Sequence, residues 1–253
     1  AVSRAMGARD VIVVSRSGEN NYGNLFRHAD AEILVNTTPV GMYPAVGVSP
    51  VDLRDFPHCE GVLDVIYNPR RTALLLQAEE LGLPCSDGLP MLVAQAKAAE
   101  EYFFEKTIPD SENERILAML RQEMTNIVLI GMPGSGKSTV GKLINIDGYT
   151  FIDTDVEIEK RCGCTIKNLI ATKGEKYFRD LETEVIRDIS SENCRIISTG
   201  GGAILREENV RSLKRNGKLF FINADLSRLH ASDDRPLSDT QDKLAKLYAE
   251  RIE

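Results

Sequence analysis

Short apolar runs recur along this chain at intervals that suit alternating strands and helices. The first half contains three runs that each have the length of one buried strand, at residues 10–14, 31–35 and 61–66. Helical periodicity follows from about residue 73 to residue 81, where Gly82 ends it, and again from residue 91 to about 106. Strands and helices that alternate at this spacing predict an α/β fold with a doubly wound parallel sheet.

The second half repeats the pattern. Further strands are predicted at residues 126–130, 149–152, 196–199 and 219–222, residues 178–182 lie on a predicted helix, and a helix over residues 241–252 ends the chain. Residues 107–114 are polar and contain Pro109, so we expect a surface loop there. A short helix follows with Ile116, Leu117, Met119 and Leu120 on one face.

Charge is distributed unevenly between the halves. Residues 1–124 hold 11 lysines and arginines against 18 aspartates and glutamates, whereas residues 125–253 hold 20 of each. This asymmetry indicates two separately evolved domains and offers no basic field for nucleic acid. The sequence has no apolar stretch long enough to span a bilayer and no signal-peptide pattern at its start, so we expect a cytoplasmic protein. The five cysteines form no even framework, so free thiols are expected.

A glycine-rich stretch supplies the first chemical signal. Residues 131–138 read Gly-Met-Pro-Gly-Ser-Gly-Lys-Ser and fit the pattern G-x-x-x-x-G-K-[ST] after a predicted strand and before a predicted helix. Such a loop wraps backbone N–H groups around phosphates, while Lys137 reaches the β- and γ-phosphates and the Ser138 hydroxyl binds Mg²⁺. An ordinary strand-to-helix turn is the alternative, but it requires neither Lys137 nor Ser138.

Three further patterns in the second half admit two interpretations each. Asp153 and Asp155 follow a strand end, where they would bind a ligand or cap a helix. Arg179 and Glu182 are neighbours on one helix face, either as a solvated ion pair or as an oriented carboxylate-binding arginine. Three successive glycines, residues 200–202, allow backbone to approach a ligand closely, and a tight turn alone would need fewer.

Together these motifs resemble the shikimate kinase family over essentially all of residues 125–253, within a P-loop nucleoside-monophosphate-kinase-like three-layer α/β/α fold. The resemblance implies an ATP site with Mg²⁺ as cofactor and shikimate as substrate, and it names Lys137, Asp153, Asp155 and Arg235 as catalytic residues. It implies ATP contacts at Gly134, Ser135, Gly136, Lys137, Ser138, Thr139 and the lid residue Arg235, with Ser138 and Asp153 near the metal. Shikimate would contact Asp155, Arg179, Gly200, Gly201, Gly202 and Arg251.

The match to the kinase family is incomplete in two segments. Residues 143–147 are shorter and more polar than the helix end that the family uses, and residues 225–234 are too few for its helix and lid. The family's adenine-contacting C-terminal segment also has no counterpart in the sequence. We therefore expect both domains to be incomplete in the 253 residues, the second at its C-terminal end.

The first half resembles the NADP-binding half of the shikimate dehydrogenase family. The similarity rests on three ordered motifs: Asn-Thr-Thr-Pro-Val-Gly-Met at 36–42, Asp-Val-Ile-Tyr-Asn-Pro at 64–69 with Thr72, and Gly-Leu-Pro-Met-Leu-Val-Ala-Gln-Ala at 88–96. The resemblance implies NADP contacts at Ser15, Arg16, Thr38, Val65 and Gly88, and shikimate contacts at Tyr67 and Gln95. Without it, Arg16, Tyr67 and Gln95 would be ordinary surface residues.

These resemblances predict a bifunctional enzyme of aromatic amino acid biosynthesis. A partial Rossmann-type domain at 1–123 would reduce 3-dehydroshikimate with NADP, and a kinase domain at 124–253 would phosphorylate shikimate, with the boundary near Met124. The alternatives are a P-loop kinase of another hydroxy acid, such as gluconate, and a module whose nucleotide sites bind without turnover, which applies most to the first half. Which of Asp153 and Asp155 takes the hydroxyl proton stays open.

We predict that the 253 residues by themselves do not oxidise shikimate with NADP. The family's glycine-rich loop, its catalytic lysine and its aspartate have no counterpart in them. Hydride transfer without an oriented substrate loses a proximity contribution of about 7–11 kcal/mol. The measurement is NADPH absorbance in the presence of shikimate and NADP, and shikimate-dependent reduction of NADP would contradict the prediction.

Overall fold

The computed structural model of the protein describes residues 2–5, 7–224 and 248. The predicted site residues Arg235 and Arg251 lie outside the described residues, as do the segment 225–234 and, except for Tyr248, the predicted helix over 241–252. The chain forms two compact units. One comprises Ala1–Ile66 and Thr72–Gly88, and the other comprises Tyr67–Arg71 and Leu89–Glu253.

The first unit is built on a three-stranded parallel sheet. Its elements are α1 (Val2–Ala5), β1 (Ile33–Asn36), β2 (Gly61–Asp64), α2 (Ala73–Glu80) and β3 (Cys85–Ser86), with the strands in the order β1-β2-β3. Helix α2 packs its apolar face against β2, because three of its first four residues are leucines. The core of this unit contains Leu53, Phe56, Val62, Leu74, Leu75 and Ala78.

The predicted first strand, at residues 10–14, is wrong. These residues pair with no other strand in the described part of the chain. Ile12 and Val13 are 47% and 76% exposed. An apolar run becomes a strand only when its backbone N–H and C=O groups find partners along a neighbouring strand. The sheet of this unit therefore begins with β1.

A buried aspartate ties the ends of two strands to the start of a helix. Asp64 is 2% exposed and ends β2. Its carboxylate accepts hydrogen bonds from Asn36 Nδ2 at 3.0 Å, Ile66 N at 3.0 Å and Thr72 Oγ1 at 2.7 Å. Thr72 Oγ1 also accepts from Leu75 N and so caps α2. Buried charge is tolerated only with such partners, and the network holds the strand ends in place.

The second unit contains a four-stranded parallel sheet. Its elements are α3 (Leu89–Phe104), α4 (Asp110–Glu123), β4 (Asn126–Ile130), α5 (Lys137–Leu143), β5 (Thr150–Asp153), α6 (Thr154–Cys162), α7 (Ile166–Ser190), β6 (Arg195–Ser198), α8 (Glu207–Asn216) and β7 (Gly217–Phe221). The strand order is β5-β6-β4-β7. The parallel α/β class predicted for both halves is confirmed. All four strands of this sheet were predicted to within two residues.

Helices α6, α7 and α8 cover the core of this sheet. The core contains Val128, Ile158, Leu169, Phe178, Val185, Ile186, Ile197 and Leu213. Helix α7 is interrupted at Gly174, whose φ of 84° and ψ of 161° are not helical. The part of α7 that carries Arg179 and Glu182 therefore starts anew after this break.

The surface loop predicted over residues 107–114 is wrong in its second part. Helix α4 begins at Asp110, directly after Pro109. Acidic residues in a first helical turn interact favourably with the helix dipole, so Asp110 and Glu112 belong to a helix start and not to a loop. Asp110 also pairs with Lys97 of α3, which raises the pKa of Lys97 and lowers the pKa of Asp110.

Residues 67–71 belong to the second unit through hydrogen bonds to the end of α8. Arg71 N donates to Arg215 O at 3.0 Å, and Arg70 N donates to Asn216 Oδ1 at 3.0 Å. Arg70 Nη1 donates to Thr125 Oγ1 at 3.0 Å. This grouping is based on spatial contacts, and the domain boundary near Met124 stays a prediction.

Two further predictions from the sequence concern membrane-spanning segments and the state of the cysteines. Across residues 2–5 and 7–224, every helix is too short or too polar to cross a bilayer. The five cysteines have free thiols, as the sequence predicted.

We predict that Thr72→Val loosens the start of α2. Valine keeps the shape of threonine but leaves the buried Asp64 carboxylate without one donor, a loss of about 1–3 kcal/mol. Hydrogen exchange should become faster at the amides of Ile66 and Leu75. Thr72→Ser, which keeps the hydroxyl, is the matched control and should exchange like the unaltered protein. Equal protection in the valine and serine variants would contradict this role for Thr72.

Candidate active site

The glycine-rich loop lies between the central strand β4 and helix α5. Strand β4 ends at Ile130 and α5 begins at Lys137, directly after Gly136. Lys137 is only 7% exposed, and its Nζ donates to the loop carbonyls of Gly131 at 2.9 Å and Met132 at 2.8 Å. The ammonium group is therefore held by the loop that would bind phosphate.

The loop also contains a buried hydroxyl that suits an oxygen-rich ligand. Ser135 Oγ is buried and has no hydrogen-bond partner among the residues that the structure describes. Such groups are rare unless a ligand or water satisfies them. Gly134 lies beside it in the loop, and Thr139 is exposed in the first turn of α5. These residues fit the triphosphate predicted from the sequence.

The Ser138 hydroxyl joins the loop to the ends of two other strands. Ser138 Oγ donates to Asp153 Oδ2 at 2.5 Å and lies 3.0 Å from Ser198 Oγ. Asp153 ends β5, and Ser198 ends β6. Carboxylate and hydroxyl oxygens are the ligands that Mg²⁺ prefers, so this group fits the predicted metal.

Asp153 caps a helix, which is one of the two interpretations that the sequence left open. Its Oδ1 accepts from Asp155 N at 3.0 Å and so caps α6. Its Oδ2 accepts from Ser138. Helix capping thus leaves the second carboxylate oxygen directed at the glycine-rich loop.

The three glycines at 200–202 pack against acidic and basic side chains. A Cβ on Gly200 would lie 2.7 Å from Asp155 Oδ1, and a Cβ on Gly202 would lie 2.5 Å from Arg179 Nη2. Gly201 makes the same kind of close approach to Pro133 of the glycine-rich loop. Gly200 N donates to Thr154 Oγ1 at 2.9 Å, so this amide is engaged within the protein. The contact with Pro133 restricts position 201 most strongly, because the Asp155 and Arg179 side chains beside Gly200 and Gly202 can shift.

The pair Arg179 and Glu182 is buried and is not a solvated ion pair. Arg179 Nη1 lies 2.7 Å from Glu182 Oε2, and their side chains are 12% and 1% exposed. Arg179 Nε also lies 3.5 Å from Glu175 Oε1. Because Glu182 orients the guanidinium toward the glycines, the arrangement matches an oriented anion-binding arginine.

In the first unit, three of the predicted NADP contacts lie together. Asn36 Oδ1 accepts from Thr38 N at 3.0 Å and from Thr38 Oγ1 at 2.7 Å, while Asn36 O accepts from Val65 N at 3.0 Å. A Cβ on Gly88 would lie 1.9 Å from Val65 O, so only glycine fits there. Thr38, Val65 and Gly88 therefore meet at the carboxyl ends of β1 and β2.

The other first-half candidates are placed differently. Ser15 and Arg16 are exposed, and no hydrogen bond of the described residues joins them to Thr38, Val65 or Gly88. Tyr67 and Gln95 are exposed and belong to the second unit.

Two polar residues of these sites were missed from the sequence. Ser198 is the last residue of the strand that leads into the three glycines. Its place at that strand end is the sequence signal that could have identified it. Asn36 is the first residue of the motif at 36–42, but its contact with Asp64 joins residues that are 28 positions apart.

Comparison with known proteins places the second half in a family. The family model "Shikimate kinase" matches residues 133–253. A shikimate kinase from Caldicellulosiruptor bescii is 46% identical over 130 residues, which are 49% of this chain and 75% of that protein. One from Thermodesulfovibrio yellowstonii is 39% identical over 137 residues, which are 51% of this chain and 79% of that protein.

The comparison with solved structures found proteins of two kinds. Shikimate kinase from Acinetobacter baumannii in complex with shikimate is 33% identical, with a TM-score of 0.49, and the match covers 53% of this chain and 80% of that chain. A chorismate mutase/shikimate 5-dehydrogenase fusion protein from Clostridium acetobutylicum is 36% identical, with a TM-score of 0.42. That match covers 45% of this chain and 44% of the fusion protein.

The kinase relatives are similar over most of their own length, and the residues that suggested the family lie together around the glycine-rich loop. By this similarity, the chain belongs to the shikimate kinase family.

Proposed function

We propose that the second unit transfers the γ-phosphoryl group of ATP to the 3-hydroxyl of shikimate. The observation that carries this proposal is the buried Arg179 beside the three glycines, within the same site as the phosphate-binding loop. The arginine supplies a carboxylate anchor, and the loop supplies a phosphate cradle. A small hydroxy acid that carries one carboxylate matches this pair of features.

ATP would bind along the glycine-rich loop. Its phosphates contact Gly134, Ser135, Gly136, Ser138 and Thr139, and Lys137 exchanges its bonds to the loop carbonyls for bonds to phosphate oxygens. Ser138 and Asp153 would hold Mg²⁺, which neutralises phosphate charge when it is bound. Because Ser138 and Asp153 already contact each other, little rearrangement of the protein is needed.

Asp155 is our candidate for the group that orients and deprotonates the substrate hydroxyl. Asp153 uses one oxygen to cap α6 and the other to contact Ser138. The Asp155 carboxylate instead lies beside Gly200, where the substrate would sit. Most of the rate enhancement would come from positioning and charge stabilisation, as in other phosphoryl transfers. Arg235 stays the predicted lid residue and Arg251 the predicted second carboxylate contact.

A second activity is proposed for the first half as part of a dehydrogenase that also has the family's glycine-rich loop, catalytic lysine and aspartate: the NADP-dependent reduction of 3-dehydroshikimate to shikimate. Thr38, Val65 and Gly88 lie at the carboxyl ends of parallel strands, where α/β sheets bind dinucleotides. Ser15 and Arg16 would contact the 2′-phosphate of NADP, and Tyr67 and Gln95 would contact the substrate. The two reactions are consecutive, and both belong to a cytoplasmic pathway of aromatic amino acid biosynthesis.

A kinase of another hydroxy acid, such as gluconate, would use a similar carboxylate anchor. Parallel assays with shikimate and gluconate at equal ATP distinguish the two substrates. Phosphorylation of shikimate alone supports our proposal, and phosphorylation of gluconate alone contradicts it.

We predict that Arg179→Ala weakens shikimate binding about ten- to a hundredfold and leaves ATP binding unchanged. The lost charge-assisted pair contributes about 1.5–3 kcal/mol. Isothermal titration with each ligand is the measurement. Arg187→Ala, on the same helix but exposed, is the matched control. Because Arg179→Ala leaves Glu182 buried without its arginine, Arg179→Lys is included, and it should bind shikimate with intermediate affinity. Unchanged shikimate affinity in both Arg179 variants would disprove the anchor.

We predict that Lys137→Met lowers the rate of phosphoryl transfer about 10²- to 10³-fold, because a preorganised positive charge on the transferring group is lost. Steady-state assays at saturating Mg·ATP and shikimate measure the change in kcat. Lys142→Met, on the same helix but in its last turn, should keep full activity. Equal turnover by the two variants would rule out a catalytic role for Lys137.

A further inference from the structure

Arg206 contacts the backbone of Arg179. It sits between the single turn Ala203–Leu205 and helix α8. Its side chain is 28% exposed. It is not one of the residues that the sequence motifs single out, yet it follows Gly202 by only four positions.

The guanidinium of Arg206 contacts the helix turn that carries Arg179. Nη1 donates to Arg179 O at 3.1 Å and to Thr183 Oγ1 at 3.2 Å, and Nη2 donates to Asp180 Oδ1 at 2.8 Å. Thr183 Oγ1 also donates to Arg179 O at 3.0 Å. The backbone carbonyl of Arg179 thus receives two side-chain donors. Arg206 and Lys176 together lower the pKa of Asp180, with the larger effect from Lys176.

Two residues of the segment 202–206 therefore contact Arg179, one at its side chain and one at its backbone. Gly202 packs against the Arg179 guanidinium, so a Cβ there would lie 2.5 Å from Nη2. Arg206 bonds the Arg179 backbone. The same short segment sets both the position of the side-chain tip and the position of the main chain.

The interruption of α7 near Arg179 gives these contacts a structural role. Gly174 is non-helical, so the helix that carries Arg179 restarts only five residues before it. The first turn of a helix leaves backbone N–H groups without helical partners, and helix ends open more easily than helix centres. Contacts from outside α7 therefore add to those that Glu175 and Glu182 make with Arg179 within the helix.

We propose that Arg206 is a positioning residue that keeps the Arg179 guanidinium where it can bind the substrate carboxylate. This proposal rests on the proposed function of Arg179 as the carboxylate anchor. Arg206 acts through Arg179 and does not touch the substrate itself. The competing explanation is an exposed ion pair between Arg206 and Asp180, which would affect neither ligand.

The test compares Arg206→Ala and Arg206→Lys with Arg211→Ala. Arg211 is on α8 and forms an exposed ion pair with Glu207, so its removal is the matched control for loss of one arginine. We expect Arg206→Ala to raise the KM and the dissociation constant for shikimate about tenfold, while the KM for ATP and kcat stay unchanged. Arg206→Lys should recover part of the affinity, and Arg211→Ala should behave like the unaltered protein.

A double-mutant cycle shows whether Arg206 acts through Arg179. In an Arg179→Ala background, Arg206→Ala should cause no further loss of shikimate affinity, because coupled residues are not additive. Additive losses would overturn the proposal. So would an unchanged shikimate affinity in Arg206→Ala, or an equal loss for ATP and shikimate.

A readout without substrate separates this proposal from the proposed function. Hydrogen exchange at the amides of residues 179–183 should be faster in Arg206→Ala than in Arg211→Ala, whether or not shikimate binds. If the unaltered protein fails to bind shikimate, the proposed substrate is wrong. If exchange at 179–183 is the same in the two variants, the positioning role of Arg206 is wrong.

Discussion

Glu182 places a carboxylate at a fully buried position in the second unit, and the geometry of the candidate site follows from the need to compensate it. An unpaired buried charge costs several kcal/mol, and Arg179 Nη1 lies 2.7 Å from Glu182 Oε2. Gly202 leaves room for the guanidinium, because a Cβ there would lie 2.5 Å from Arg179 Nη2 and the arginine would have to shift. The charge on one helix thus favours a glycine in the turn after a strand.

The same constraint recurs at the ends of the strands. Asp64 ends β2 in the first unit with three donors around its carboxylate, and Asp153 ends β5 in the second unit with two. Beyond the end of a parallel strand, the backbone N–H and C=O groups are no longer hydrogen-bonded to the neighbouring strand. Ligands of α/β sheets bind outside these strand ends. Aspartates at these positions organise the local backbone. Asp153 also keeps one oxygen near the loop that would bind phosphate.

Local sequence patterns predicted most of the fold of the second unit. Strands β4 to β7 are short apolar runs whose ends are marked by glycine or polar residues, and the glycine-rich loop fits its motif at every fixed position. The errors occurred where pairing or charge decided the outcome. Residues 10–14 are as apolar as β1 but have no β-sheet partner in the described part of the chain. Residues 110–114 are polar, yet their acidic side chains stabilise a helix start.

The sequence by itself determined which residues are the candidates for the chemistry of the site, because Lys137, Asp153, Asp155 and Arg179 each belong to a motif of short span. It could not determine how those residues are held. The contacts of Ser138 with Ser198 and of Arg206 with Arg179 join residues 60 and 27 positions apart. The tertiary structure alone decided these contacts, because parallel strands bring together strand ends that are distant in sequence, and packing of α8 against α7 brings Arg206 to the backbone of Arg179.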